Sequence, residues 1–428
     1  MKETKFKQTE IGMIPDDWEV KRLGELCNTA SGGTPSRENP KNYIGNIKWF
    51  TTSELKDCYL YDSNEHISES ALNTSSAKLF MPGTLLIAMY GATIGKLGII
   101  ETEAATNQAC CAITCKKIHR DFLYYCLYCD RDNIISQGYG AGQPNISQNT
   151  VKELKIPLPP TLAEQQKIAK ALSDVDNVIS TLEKLITKKK NLKQGTMQQL
   201  LTGKKRLPGF APTVVEPVET TKFKQTEIGE IPEDWEVKEL GEVAKNFTGL
   251  TFSPDDVCDY GTLVLRSSNI QNDMLSFNDN VYVNMNIPER AIAHTGDILI
   301  CVRNGSKRLI GKSALITESA NNCAFGAFMT ILRTELLNQQ FLFYVWQSDL
   351  IQKQIEESMG ATINQITNKD IRHYLIAYPK SNAEQTAIAN VLSSMDKEIE
   401  ALETKLGKYR NLKTGMMQQL LTGKIRLM

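Results

Sequence analysis

Residues 4–25 read TKFKQTEIGMIPDDWEVKRLGE, and residues 221–242 read TKFKQTEIGEIPEDWEVKELGE. The copies differ only at Met13/Glu230, Asp16/Glu233 and Arg22/Glu239. A second match joins residues 163–207 (AEQQKIAKAL to MQQLLTGKKRL) with residues 383–427 (AEQTAIANVL to MQQLLTGKIRL). Between these near-identical blocks lie two segments of similar length that agree only faintly. A chain that keeps its frame twice and varies what the frame carries presents two different readers to one repeated partner.

The later block reads as helix. Ile168, Leu172, Val175, Ile179, Leu182 and Ile186 recur at alternating spacings of four and three, a heptad seam. Ile388, Leu392, Met395, Ile399, Leu402, Leu406 and Tyr409 repeat the rhythm. Pro159, Pro160 and Pro379 stop the strands before these helices. Gly203 and Gly423 stand where each helix should end, followed by basic residues suited to its carboxyl end. Roughly 35–40 residues per helix is about 50–60 Å at 1.5 Å per residue. Gly195 and Gly415 fall at matching places and predict a kink or break. Two heptad helices in one chain most simply pair with each other; the alternative is that each packs on its own domain.

The variable segments mix strands and helices. Residues 84–90 and 297–302 read as buried strands, and residues 122–129 (FLYYCLYC) and 341–348 (FLFYVWQS) as short apolar helices. A faint correspondence survives. KWFTTS at 48–53 matches LVLRSS at 263–268, setting Thr51 opposite Arg266. IGK at 94–96 matches 310–312, and GAGQPNIS at 140–147 matches GATINQIT at 360–367. The segments read as one fold used twice. Residues 208–220 lack a period, hold three prolines and read as a linker.

The 428 residues allow two or three domains, and 23% charged with 41% apolar residues is ordinary for a soluble globular protein. No apolar run suits a signal peptide or a membrane span. Ten cysteines without such a signal point to reduced thiols in a cytoplasm. Net charge is zero, and neither variable segment is basic. A free-standing DNA binder usually carries excess Lys and Arg, so a nucleic-acid ligand requires local clusters or partner subunits to neutralise phosphates.

Catalytic patterns are absent or weak. Cys126 and Cys129 form C-x-x-C near Cys110, Cys111 and Cys115, but Val345 and Ser348 take their places in the second copy, which favours packing over zinc. Residues 305–313 resemble a phosphate loop with one residue too many between the glycines, and the following ALIT reads as strand where a helix start is needed. That turn either offers Arg303, Lys307, Arg308 and Lys312 to a phosphate backbone or is simply solvated. None of His66, His119, His294 and His373 joins a nucleophile motif.

Taken in order, I-G-x-I-P-x-D-W-x-V-x-x-L-G-E (residues 11–25 and 228–242), P-L-P-P-x-x-A-E-Q-x-x-I-A (residues 157–169, weaker at 378–385) and MQQLLTGK (residues 197–204 and 417–424) resemble the specificity subunit of a type I restriction–modification system. The resemblance covers essentially the whole chain. It implies an α/β (α+β) fold with two pseudo-twofold-related target recognition domains, joined by two long antiparallel helices in an intramolecular coiled coil. The expected partition is 1–26 and 221–243 for the repeated opening blocks, 27–160 and 244–380 for the recognition domains, 161–207 and 381–428 for the helices, and 208–220 for the linker. By symmetry, the end of the second helix should abut the first opening block.

The resemblance further implies a non-catalytic subunit whose domains each read half of a split, asymmetric double-stranded DNA target, with the helices setting the spacer. Half-sites one helical turn apart, roughly 34 Å, lie within reach of such helices. Expected partners are two modification (adenine methyltransferase) subunits and ATP-dependent restriction subunits. S-adenosylmethionine, ATP and Mg belong on those partners, and no cofactor or metal on this chain. Base readout needs donors and acceptors at groove edges. Candidates are Thr51, Thr52, Ser53, Tyr90, Lys96, Gln143 and Asn145 in the first reader. In the second they are Arg266, Ser268, Asn269, Arg303, Asn304, Lys307, Arg308, Asn364 and Gln365. Arg266 and Arg303 lead because each follows an apolar strand. The competing reading is a coiled-coil scaffold presenting two protein-binding modules.

Overall fold

The computed structural model describes residues 5–138, 145–210, 222–360 and 364–427. The chain divides into two compact units, residues 1–183 with 404–428, and residues 184–403. Each unit holds one opening block, one variable lobe, the beginning of one long helix and the end of the other.

In the first unit the opening block forms a hairpin, Phe6–Thr9 against Gly12–Pro15, turning through Gly12 at φ +104°. The strand Glu19–Arg22 then pairs antiparallel with Lys155–Leu158, closing the two ends of the lobe against each other. The second unit repeats this with Phe223–Thr226, Gly229–Pro232, and Trp235–Glu239 on Leu375–Pro379. Trp18 and Trp235 are fully buried at the base of the two arrangements.

Each lobe is built on two main sheets, and the second adds the short pair Ile270–Gln271 with Met274–Leu275. In the first lobe one sheet runs Cys27–Ser31, Cys110–Cys115, Leu85–Ala88, Leu97–Ile100, Cys58–Leu60. The other runs Glu65–Ile67, Ile47–Phe50, Ala104–Thr106, Leu79–Phe80. The second lobe keeps the order of the first sheet with Lys245–Thr248, Met329–Arg333, Ile298–Cys301, Ser313–Leu315, while its other sheet, Val257–Cys258, Tyr282–Val283, Thr262–Leu265, Ala324–Phe325, keeps the three inner partners and differs at its edge strands. In both, one strand pair of the second sheet is parallel: Ile47–Phe50 with Ala104–Thr106, and Thr262–Leu265 with Ala324–Phe325. The apolar runs Leu85–Ala88 and Ile298–Cys301 are buried throughout, as central strands covered on both faces must be. One fold is used twice.

The long helices span Leu162–Leu201 and Asn382–Leu420. No break occurs at Gly195 or Gly415, contrary to the sequence expectation. A helical glycine costs only about 1 kcal/mol relative to alanine, and burial of the neighbouring Met197, Leu200 and Leu201, or Met417, Leu420 and Leu421, offsets it. The helices pack antiparallel. In the first unit Asp176 meets Lys413 and Glu183 meets Arg410, each at 2.6 Å. In the second, Lys190 meets Glu403 at 2.7 Å and Lys193 meets Asp396 at 2.6 Å. Exposed pairs contribute little, so the buried seam supplies the stability and the pairs fix register. Ile168, Leu172, Ile388 and Leu392 are at most 2% exposed.

Cys110, Cys111 and Cys126 are buried among apolar side chains, and burial pushes the Cys111 thiol up to about 12. They serve as small packing residues. The linker region falls outside the described residues from position 211 to 221. No helix among the described residues is long and apolar enough to cross a membrane.

Candidate functional site

The identical blocks explain themselves first. After each long helix the chain turns through a glycine at positive φ, +68° at Gly423 and +66° at Gly203. A Cβ on Gly423 would lie 2.4 Å from Pro15 Cγ, and one on Gly203 would lie 2.4 Å from Pro232 Cγ. The end of the second helix therefore abuts the first opening block, as expected.

Three residues further on, Arg426 donates to both Asp17 oxygens, at 2.8 and 2.9 Å, and to buried Glu164. Arg206 does the same to Asp234, twice at 3.0 Å, and to buried Glu384. The Arg426 hydrogen bond holds the Asp17 carboxyl below the usual carboxylate range. Burial raises Glu384, against the opposing pull of Arg206.

The glutamines of the A-E-Q motif tie each helix start to its lobe. Gln165 accepts from His119 N and donates to Pro159 O; Gln385 accepts from Asn338 N and donates to Pro379 O. Tyr125 donates to Asp176 at 2.8 Å and Tyr344 to Asp396 at 2.7 Å. Sequence reasoning missed Arg206 and Arg426 as clamps. Their signal was present, since both lie in the near-identical blocks.

The candidate readout residues fall where the lobes differ. In the second lobe the strand Thr262–Leu265 delivers Arg266, and the strand Ile298–Cys301 delivers Arg303 two residues past its end. The turn at 326–328 holds the two loops together: Gly326 N donates to Leu265 O, and Val302 N donates to Phe328 O. Arg303 forms a β-bridge with Gln365. The result is a cleft of about 930 Å³ whose lining includes Arg266, Ser268, Arg303, Asn304, Asn364, Asp279 and the exposed Phe328.

Within it, Arg266 is ion-paired to Asp279 at 3.0 Å and the Arg303 guanidinium lies 5.1 Å from the Phe328 ring centre. Asn304 donates to Ser267 Oγ, and Asn364 to Gly305 O, so both brace the loops. Lys307 and Arg308 are exposed on a short 3₁₀ turn outside the cleft lining. The strand Ser313–Leu315 follows that turn, in keeping with the rejection of a phosphate-binding loop.

Asn269 is fully buried. Its Oδ1 accepts from Arg266 N at 2.9 Å, and its amide donates to Ser276 O and Asp279 O. It therefore positions Arg266 and offers no surface. Ser268 Oγ and Arg266 Nε are buried without a hydrogen-bond partner.

The first lobe builds the same scaffold with other side chains. Thr51 caps the short turn Thr52–Glu54, and Glu54 accepts from Thr51 N at 2.8 Å, as Asn269 does from Arg266. Asn107 N donates to Phe50 O, Met89 N to Ala109 O, and Tyr90 bridges Asn145 as Arg303 bridges Gln365. Thr51 Oγ1 and Ser53 Oγ share a 2.7 Å hydrogen bond, and Tyr90 is 41% exposed. Lys96 pairs with Asp57 at 3.4 Å. Asp57 also holds Arg131, which leaves Lys96 a structural partner as well as a surface cation. Gln143 lies outside the described residues.

Each lobe thus carries a different set of polar loop residues on one scaffold, and each is clasped by the same frame. The sequence profile described as "Type I restriction modification DNA specificity domain" matches residues 15–194 and again 232–408. The type I restriction enzyme MjaVIII specificity subunit of Methanocaldococcus jannaschii is 31% identical over 441 residues, covering 100% of this chain and 97% of the relative. The putative MjaX specificity subunit of the same organism is 31% identical over 457 residues, covering 100% and 98%.

Among solved structures, the type I restriction–modification S subunit from M. genitalium shares the fold with a TM-score of 0.59 at 15% identity, covering 97% of this chain and 98% of that one. A chain from a study of complex assembly and conformational transition of the type I system matches with a TM-score of 0.54 at 18% identity, covering 96% and 99%. The chain belongs to the type I restriction–modification specificity subunit family.

Proposed function

We propose that this chain reads a bipartite, asymmetric double-stranded DNA target on behalf of catalytic partners. The lobe at 27–160 reads one half and the lobe at 244–380 reads the other, and the paired helices at 161–207 and 381–428 set the spacing. The observation that carries this reading is the pairing of near-identical frames with unlike reading loops on one scaffold. Identical frames suit two copies of one modification subunit; unlike loops suit unlike half-sites. Those modification subunits methylate adenine with S-adenosylmethionine, and restriction subunits add ATP- and Mg-dependent cleavage, all in the cytoplasm. Zero net charge fits a division of labour in which partners neutralise much of the phosphate backbone.

The base-contacting set is drawn from Thr51, Thr52, Ser53, Tyr90, Gln143 and Asn145 in the first lobe, and from Arg266, Ser268, Arg303, Asn304, Asn364 and Gln365 in the second. Lys96, Lys307 and Arg308 serve phosphates. Asn269 acts through Arg266.

The test is genome-wide mapping of N6-methyladenine in a host carrying the chain with its modification subunit. A two-part motif with a fixed gap is expected, and exchange of residues 27–158 should rewrite one half and leave the other intact. A continuous motif, or an exchange that alters both halves, would sink the reading. So would failure of the assembled complex to retain DNA, the outcome expected of a scaffold for protein modules.

A further inference from the structure

The two lobes differ in charge at equivalent positions: Arg266 stands where the first lobe has Thr51, and Arg303 where it has Tyr90. Resting on the reading above, we propose that Arg266 and Asp279 together read one G·C base pair in the second lobe's half-site, a pair that Thr51 cannot read in the first.

The geometry singles out a base contact over a phosphate contact. The Arg266 backbone is pinned by Asn269 at 2.9 Å, and its guanidinium is held by the Asp279 carboxylate at 3.0 Å and the Asp279 carbonyl at 3.4 Å. A carboxylate fixed against a guanidinium repels a phosphate oxygen and orients the remaining donors. Arg266 and Ser268 both line the cleft, and Arg266 Nε and Ser268 Oγ each lack a hydrogen-bond partner.

The ligand is specified by the pairing of opposite hydrogen-bonding roles side by side. In the major groove guanine offers O6 and N7 as acceptors and cytosine offers N4–H as donor; arginine matches the first and aspartate the second. Guanine O6 and cytosine N4 are bonded to each other, so they lie about 2.9–3.0 Å apart. The Arg266 donor and the Asp279 acceptor are separated by 3.0 Å. Donor faces acceptor and acceptor faces donor at one spacing. An A·T pair presents the opposite order at this edge, with the adenine amino group meeting the guanidinium and thymine O4 meeting the carboxylate.

The experiment uses the full chain co-expressed with its modification subunit in a host free of adenine methylation, with methylated adenines mapped genome-wide. The half-site left unchanged by exchange of residues 27–158 should contain a G·C pair. Arg266→Ala should make that single position degenerate, with discrimination falling roughly 5- to 150-fold. Arg266→Gln should shift it towards A·T, since glutamine pairs with adenine N6 and N7. Asp279→Asn should relax it partially. The first half-site, unaltered in all three, reports that the chain is folded.

A bipartite motif whose second half lacks a G·C pair, or one unchanged in both Arg266 variants, overturns this assignment while leaving the two-reader function standing. Loss of methylation at every site in both Arg266 variants makes the residue a folding element and also overturns it. A motif without two halves overturns both readings.

Discussion

Arg426 donates to Glu164 from a guanidinium only 9% exposed onto a carboxylate only 4% exposed. The same relation recurs between Arg206 and Glu384 at 4% and 2%. A charge taken this far from water must be paired, and removing one partner strands the other. Replacement of the arginine by alanine at either position should therefore destabilise the protein by about 3–5 kcal/mol. Urea unfolding followed by circular dichroism measures it. Glu164→Gln with Arg426→Ala should recover part of the loss, because the stranded charge has gone.

The Asp17 arm of the same clamp gives a pH signature. Arg426 holds the Asp17 carboxyl below its ordinary value, so the unfolded chain takes up that proton at higher pH than the folded one. Its contribution is complete above the ordinary aspartate range and fades as pH falls through the lowered value. Asp17→Asn should thus lower stability near neutrality, and its difference from the parent chain should shrink as pH falls below the ordinary aspartate range. A difference that stays constant throughout an acid titration would show that the carboxylate charge is irrelevant there.

Gly423 and Gly203 are restricted twice, by positive φ and by a neighbouring proline ring 2.4 Å from any added Cβ. Alanine at either position should cost more than about 1 kcal/mol, read as a lowered unfolding midpoint. By contrast, alanine at Gly195 or Gly415, where a Cβ meets nothing within 4 Å, should stabilise its helix by up to about 1 kcal/mol.

Much of the frame was legible because its chemistry is local or repeated. Heptad spacing gave the helices, and the TGK glycines gave their ends. The correspondence of Thr51 with Arg266 survived because both cap a short turn after an apolar strand. Asn269 misled for the opposite reason: the residues just before it are polar, yet it is buried in the lobe, where Ser276 and Asp279 carbonyls accept from its amide. Asp279 could not have been found from sequence, since it lies thirteen positions beyond the arginine it holds. Gly195 and Gly415 misled because helix propensity is a small term beside burial of the adjacent leucines.

Asn269 yields a prediction that separates positioning from direct DNA binding. Its carbonyl oxygen accepts from Arg266 N and its amide donates to two carbonyls. Asn269→Ala removes these hydrogen bonds from partly buried backbone groups and should cost about 1–3 kcal/mol. Asn269→Asp keeps the acceptor for Arg266 N and loses the donors. Both should weaken recognition at the second half-site, and stability should fall in parallel. A variant that lost recognition at full stability would place Asn269 on the DNA itself.

Lys307 and Arg308 stand exposed on a short turn, outside the lining of the cleft that holds Arg266 and Arg303. On the proposed reading such cations face phosphates, whose attraction is independent of sequence and arises largely from counterion release. Their joint replacement by alanine should weaken binding of the assembled complex to cognate and non-cognate DNA by the same factor. The slope of log affinity against log salt should become shallower by roughly one for each phosphate left unneutralised. Arg303→Ala, within the cleft, should instead reduce the ratio of cognate to non-cognate binding. Titration of both variants across a salt series distinguishes them. A change of specificity in the Lys307/Arg308 variant would move that turn from the backbone to the base edges.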